Sequence, residues 1–293
     1  MQNIIEYILF RLFSLLVRLF CWKRLSSIGK YFGRIIFYLF ASRRKTAISN
    51  LRFAFPQKSD SEIYKLAKKS FESLFISFLE ILWFSGLKQS DYEKVIEIEN
   101  PKEFERIINL KSGAILLSSH FGNWELLAMM LKKILKRDIL IVVQKQRNNL
   151  IDEFVNNNRK KFGATITYLD SAPRDVLNSL QNNNFVAMIA DQSARKEEIQ
   201  VPLFGRTAPT HRGPAIFSLR VDVPLIFLLL KRIENGKYIL KTEEVSRENL
   251  IGTNDEKIFE LTLRHVQMLE KYIIETPDQW LWGHKRWKHS QNN

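Results

Sequence analysis

A chain of 293 residues with 45% hydrophobic content carries enough apolar side chain to bury a substantial core, and its single cysteine, Cys21, excludes both a disulfide framework and a thiolate metal cluster. The formal charge of +14 is unevenly placed, because residues 1–52 hold ten Lys or Arg and only Glu6 as an acid. Such charge attracts anionic lipid, nucleic acid or acidic protein, and charge alone does not choose among them.

In chain order, residues 4–22 are dominated by Leu, Ile, Phe, Val and Tyr. Arg11, Ser14 and Arg18 recur at intervals of three and four, which on a helix makes one narrow polar stripe on an apolar cylinder. A second apolar run covers 31–41, broken by Arg34, and Lys23, Arg24, Lys30, Arg43, Arg44 and Lys45 flank the two runs. The uncharged stretches fall short of the ~20 residues of a clean span, so a tilted transmembrane helix and an interfacial one both fit. The opening residues MQNIIE carry no positive side chain and no small-residue cleavage site follows, so residues 1–55 read as a retained membrane-anchoring segment and not as a signal peptide. The positive-inside rule then puts the remainder, residues 56–293, on the cytoplasmic side.

Residues 56–90 read as an amphipathic helix that is apolar nearly all round over 75–84. From about residue 92 short apolar runs alternate with helical patterns, the sign of an α/β fold with a mostly parallel central sheet flanked by helices. Strands are predicted at 113–118, 139–144, 165–169, 185–190, 224–231 and 238–243. Helices are predicted at 101–110, 124–135, 150–162, 172–181, 213–220 and 255–275.

Reactive groups in open α/β sheets sit just beyond the carboxyl ends of strands. His120 and Glu125 occupy such a place, between the strand AILLSS and the next helix. On a continuous helix, residues five apart diverge by roughly 140°, whereas a strand-loop-helix turn through Gly122 brings them together. A neutral imidazole can then take a proton from a hydroxyl, with a carboxylate behind it fixing the tautomer. The plainer reading of the same residues is a structural core histidine and a helix N-terminal carboxylate favoured by the dipole. No G-x-S-x-G elbow is present and the one thiol lies in the apolar N-terminal segment, so a covalent intermediate on the chain is not expected. The five histidines lack ligand spacing, so no metal is expected either.

SSHFGNWELL resembles the H-x4-[DE] motif of glycerolipid acyltransferases, in the form found in the lipid A secondary acyltransferases. ASRRKTAISNLRFAFP at 41–56, VPLFGRTAPTHRGPA at 201–215 and PDQWLWGHKRWK at 277–288 are similar to further blocks of that family, in the same order. The chain departs from the commonest family pattern after Asp191, where Ser193, Ala194 and Arg195 replace a nearby glycine. The resemblance implies a glycerolipid-acyltransferase-like fold. It also implies transfer of a fatty acyl chain from an acyl thioester to a hydroxyl of a lipid A precursor or related glycolipid, with His120 as general base and Glu125 as its orienting partner. Arg147, Arg159 and Asp191 are carried over as substrate-binding positions: the arginines to grip phosphate, Asp191 as a further site carboxylate, structural or part of a polar network. No cofactor is implied; acyl carrier protein or coenzyme A brings the acyl group as co-substrate. The implied partners are a membrane lipid acceptor, acyl carrier protein and an anionic membrane surface, at the inner face of a cytoplasmic membrane. Two rival readings stand beside this one: an acyltransferase for another lipid, such as a lysophospholipid, phosphatidylinositol mannoside or aminolipid, and a non-catalytic basic protein that binds membrane or nucleic acid. The sequence carries no nucleic-acid-binding motif, so no nucleic-acid partner is expected.

Overall fold

The computed structural model describes residues 2–86 and 95–290, so residues 87–90, the end of the helix expected over 56–90, lie outside the described residues, as do Met1 and residues 291–293. Four helices come first: α1 (Gln2–Arg18), α2 (Trp22–Leu39), α3 (Ala41–Ala54) and α4 (Asp60–Phe84). On α2, Leu25, Gly29, Gly33 and Phe37 recur at every fourth position and form the buried stripe, which packs on α4. Side chains are excluded along that seam, since a Cβ on Gly33 would lie 2.5 Å from the Cα of Glu72. The start of α4 is fixed by a capping box between Ser59 and Glu62.

Large apolar side chains stay exposed on the other faces of α1 and α2 and at their ends, among them Leu9, Leu16, Leu19, Tyr31, Tyr38 and Leu39. Among the described residues no helix is long and apolar enough to cross a membrane.

The rest of the chain runs β1 (Ile96–Ile98), α5 (Pro101–Ile108), β2 (Ala114–Ser118), α6 (Trp124–Leu135), β3 (Ile139–Val143), α7 (Asn149–Lys161), β4 (Thr165–Tyr168), α8 (Ala172–Gln181), β5 (Phe185–Ile189), β6 (Ile199–Leu203), β7 (Arg206–Thr210), α9 (Gly213–Val221), β8 (Leu225–Arg232), β9 (Tyr238–Glu244) and α10 (Asn254–Glu275). Seven strands form one sheet in the order β1-β9-β8-β2-β5-β3-β4, parallel throughout except for the β8–β9 pair. All six strands and six helices expected beyond residue 92 form, with ends displaced by at most two residues. The expectation of a mostly parallel sheet flanked by helices therefore holds.

The core lies on both faces of this sheet. Ile115 and Leu117 of β2 point into one cluster with α8, α9 and α10, while Ala114 and Leu116 point into the other with α5 and α6. Burial on both faces explains why the strands read as unbroken apolar runs instead of alternating ones. Three strands were not foreseen. β1 has only three residues, and the β6–β7 hairpin carries Pro202 and Pro209, which argue against strand in a sequence. That hairpin turns on Phe204 and Gly205, both with positive φ (54° and 75°), the geometry that two-residue hairpin loops favour.

Candidate active site

β2 and β5 are parallel neighbours in register, with Ser118 opposite Ile189. His120 and Asp191 each lie two residues beyond that pair, so the two chains deliver them side by side at the carboxyl end of the sheet. The connections then part: β2 leads to α6 on one face, and β5 leads through the hairpin to α9 on the other. Such a divergence opens a crevice between strand ends.

The loop between β2 and α6 is clamped. Gly122 has φ +57°, and a Cβ there would lie 2.0 Å from the Leu230 carbonyl oxygen, so glycine alone fits without displacement. The Gly122 N–H donates to the Gln279 carbonyl at 2.9 Å and the Leu281 N–H donates to the His120 carbonyl at 3.1 Å, which lays the C-terminal segment along the loop. Asn123 caps α6 by accepting from the Leu126 N–H at 3.0 Å and donates its own amide to Glu80 at 2.9 Å. Glu80 is buried on α4 and paired with Arg232 at 2.9 Å; the Tyr238 hydroxyl donates to the same carboxylate.

Asp191 is buried and accepts three hydrogen bonds. The His120 backbone N–H and the Trp280 indole N–H meet Oδ2, each at 2.8 Å, and His120 Nδ1 meets Oδ1 at 2.7 Å. With Nδ1 as donor, the lone pair is on Nε2, which faces the Gln192 side-chain amide at 3.2 Å. Burial pushes the His120 pKa down, but the Asp191 carboxylate outweighs burial, and with a smaller push from Glu125 the net shift is upward. Burial likewise pushes Asp191 up, and its His120 and Trp280 partners bring it below the ordinary aspartate value. His120 keeps 22% of its side chain exposed, and the open side meets a cavity of about 740 Å³. That cavity is walled largely by aliphatic side chains, including Leu127, Leu131, Ile141 and Val176, with Glu125 and Arg159 on its lining.

The sequence paired His120 with Glu125 as orienting partner, and the structure corrects the pairing. Both groups line one cavity, but the carboxylate hydrogen-bonded to the imidazole is that of Asp191. Glu125 instead holds Arg159 through two nitrogens, with bonds of 3.0, 2.6 and 2.8 Å. Arg159 is also bonded to Asn156 at 2.7 Å. Asn156 in turn donates to Asp152, fixing the guanidinium on α7. Arg147 is not brought to the cavity: it is 78% exposed and bridges Glu6 on α1 at 2.9 Å. Sequence reasoning missed Gln192 and Trp280 as contacts of the His–Asp pair. The only available signal was their position in family-like blocks, since a tryptophan otherwise reads as packing.

Residues 2–289 match the family model described as bacterial lipid A biosynthesis acyltransferase. Similar curated proteins include lipid A biosynthesis acyltransferase 2 of Shigella flexneri, 22% identical over 270 residues that make up 92% of this chain and 84% of that protein. The lipid A biosynthesis palmitoleoyltransferase of Escherichia coli (strain K12) is 23% identical over 274 residues, 90% of this chain and 85% of its own length. The lauroyltransferase of the same organism is 24% identical over 270 residues, 89% and 84% of the two lengths.

Proposed function

The chain belongs to the bacterial lipid A biosynthesis acyltransferases, and from that premise we propose that it moves a fatty acyl chain from an acyl thioester to a hydroxyl of a lipid A precursor, with His120 as general base held by Asp191. Membership makes it an O-acyltransferase and sets aside the non-catalytic reading. The observation that carries the mechanism is the hydrogen bond from His120 Nδ1 to a buried carboxylate, with Nε2 left beside an aliphatic cavity.

In this reading the acceptor hydroxyl gives its proton to Nε2 as its oxygen attacks the thioester carbonyl. Asp191 stabilises the imidazolium that results. The tetrahedral intermediate then breaks its C–S bond, and the proton on Nε2 goes to the departing thiolate, so the base is regenerated. Glu125 has two tasks: its charge favours the imidazolium, and it fixes Arg159 at the cavity wall. The cavity takes the acyl chain. Acyl carrier protein is the proposed donor, in keeping with the basic surface of the chain. The exposed apolar faces of α1 and α2, with their flanking lysines and arginines, lie in an anionic membrane interface on its cytoplasmic side.

The test uses purified His120→Ala protein, vesicles containing anionic lipid, and a radiolabelled acyl thioester. The variant keeps vesicle binding and loses acyl transfer to the glycolipid by about two to four orders of magnitude, the usual contribution of a general base. Transfer at the wild-type rate would end the proposal.

A further inference from the structure

A second cavity, of about 500 Å³, lies between the start of α3 and the C-terminal segment, with Ser193, the residue after Gln192, on its lining. Ser42, Arg43 and Thr46 of α3, Ser193, and Lys285 and Lys288 of the C-terminal segment contribute to its lining, together with two histidines and no carboxylate. Among the described residues, Arg43, Lys285 and Lys288 make no ion pair with an acid. Three like charges around one hollow repel each other, and an anion within it relieves that repulsion.

The frame of this hollow is preset. Asn50 of α3 donates to the carbonyls of Trp282 and His284 at 2.9 and 2.8 Å, tying the helix to the C-terminal segment. Arg43 donates to the Gly283 carbonyl at 3.1 Å. The Ser193 N–H donates to His284 Nε2 at 3.1 Å, which places the proton of that ring on Nδ1. Burial outweighs the upward pull of Asp191 and, with smaller pushes from His120, Arg286 and Arg43, holds His284 below the ordinary histidine pKa, so the arginine and the lysines carry the charge that the site uses. The first turn of α3 contains no acid and its N-cap, Phe40, supplies no side-chain acceptor, so the helix dipole adds to the positive field.

We propose that this hollow binds a phosphate monoester on the acceptor glycolipid, which anchors the sugar while its hydroxyl reaches His120. This deepens the proposed function and rests on it. Arg43, Lys285 and Lys288 supply the charge, and the Ser42 hydroxyl offers a donor, while those of Thr46 and Ser193 donate to the Ser42 and Ala194 carbonyls at 3.1 and 3.5 Å. An acceptor phosphate fits better than a donor one because the hollow begins where α2 ends, next to the exposed Tyr38, Leu39 and Phe40 through which the chain meets the bilayer in that reading. The site is separate from the Glu125–Arg159 pair, which lines the other cavity.

The test compares Lys285→Ala/Lys288→Ala with the wild type on two vesicle-borne glycolipid acceptors, one bearing the phosphate monoester and one with it removed. The double variant raises KM for the phosphorylated acceptor at least about tenfold, the loss of one charge-assisted hydrogen bond, and leaves KM for the thioester donor in place. The dephosphorylated acceptor is poor with both proteins, to the same degree. Equal losses on both acceptors overturn the site, and so does a rise in donor KM, which would assign the hollow to the donor's phosphodiester. If the wild type transfers no acyl chain to either acceptor, the proposed function fails, and the site is then decided by acetylation footprinting of the wild-type chain. Lys285 and Lys288 are protected by vesicles with the phosphorylated glycolipid and not by those with the dephosphorylated one; equal protection overturns the proposal.

Discussion

Replacing Asp191 by asparagine removes one charge and almost no volume, yet the geometry dictates a specific failure. Two N–H groups, from the His120 backbone and the Trp280 indole, converge on the Oδ2 position at 2.8 Å each. An asparagine must put its carbonyl oxygen there, because its NH₂ would face two donors. The NH₂ then points at His120 Nδ1, a donor today at 2.7 Å, and Nδ1 has to become the acceptor. The proton moves to Nε2, and the atom beside the cavity is no longer a base. The expected loss in kcat/KM is about a thousandfold, the middle of the range for general-base catalysis and equivalent to about 4 kcal/mol. The pH profile gives a second reading. The proposed mechanism needs neutral imidazole, so on it kcat/KM of the wild type rises with pH through the His120 pKa, which Asp191 raises above the ordinary 6.5. In Asp191→Asn the acid limb moves to lower pH while the plateau falls. Steady-state acyl transfer to a glycolipid acceptor between pH 5 and 9, with the thermal midpoint as a check on folding, measures both. A folded variant with activity within tenfold of wild type and an unmoved acid limb would refute the assignment of Asp191 as the residue that sets the tautomer.

Two further predictions concern the support of the loop between β2 and α6. Gly122→Ala places a Cβ within 2.0 Å of the Leu230 carbonyl at a positive φ, so it destabilises by about 2 kcal/mol or more, read as a lowered urea midpoint; an unchanged midpoint would mean that the loop is free to move away from β8. Glu80→Gln keeps a carbonyl oxygen for Asn123 but removes the charge that neutralises the buried Arg232 guanidinium, which costs about 3–5 kcal/mol of stability by the same measurement. Full stability in that variant would show that the pair is dispensable.

The parallel sheet was legible because its strands are buried on both faces and so appear as short apolar runs bounded by helical texture, a signal that β2, β3, β5 and β8 carry strongly. β1 was illegible because three residues give no period to read. The hairpin was illegible because Pro202, Pro209 and a phenylalanine in the left-handed region each point away from strand, and what holds it is long-range: Glu270 of α10 accepts from the Phe204 N–H at 2.7 Å, and the buried Arg286 donates to the Pro209 carbonyl and the Thr210 hydroxyl at 2.6 Å each. The N-terminal helices were seen as apolar runs, but the single helix through Trp22–Leu39 was not, since its buried stripe is built partly on Gly29 and Gly33, which carry no hydrophobic signal.

The site divides along the same line. His120 and Glu125 could be found because five residues of local sequence hold them, and the structure supplies the reason for the interval. The loop needs one left-handed residue, Gly122, and one cap, Asn123, before α6 can begin, which puts Glu125 at the second position of the helix, on the wall of the cavity that His120 enters. That interval made the carboxylate look like a partner for the ring. Its actual partner is 71 residues away, and only the β2–β5 register brings the two together. Glu125 acts across space instead: its charge adds to the upward shift of His120 while its oxygens are committed to Arg159. The fixed spacing thus marks where an acidic group stands relative to the histidine, and it does not by itself say which acid holds the ring.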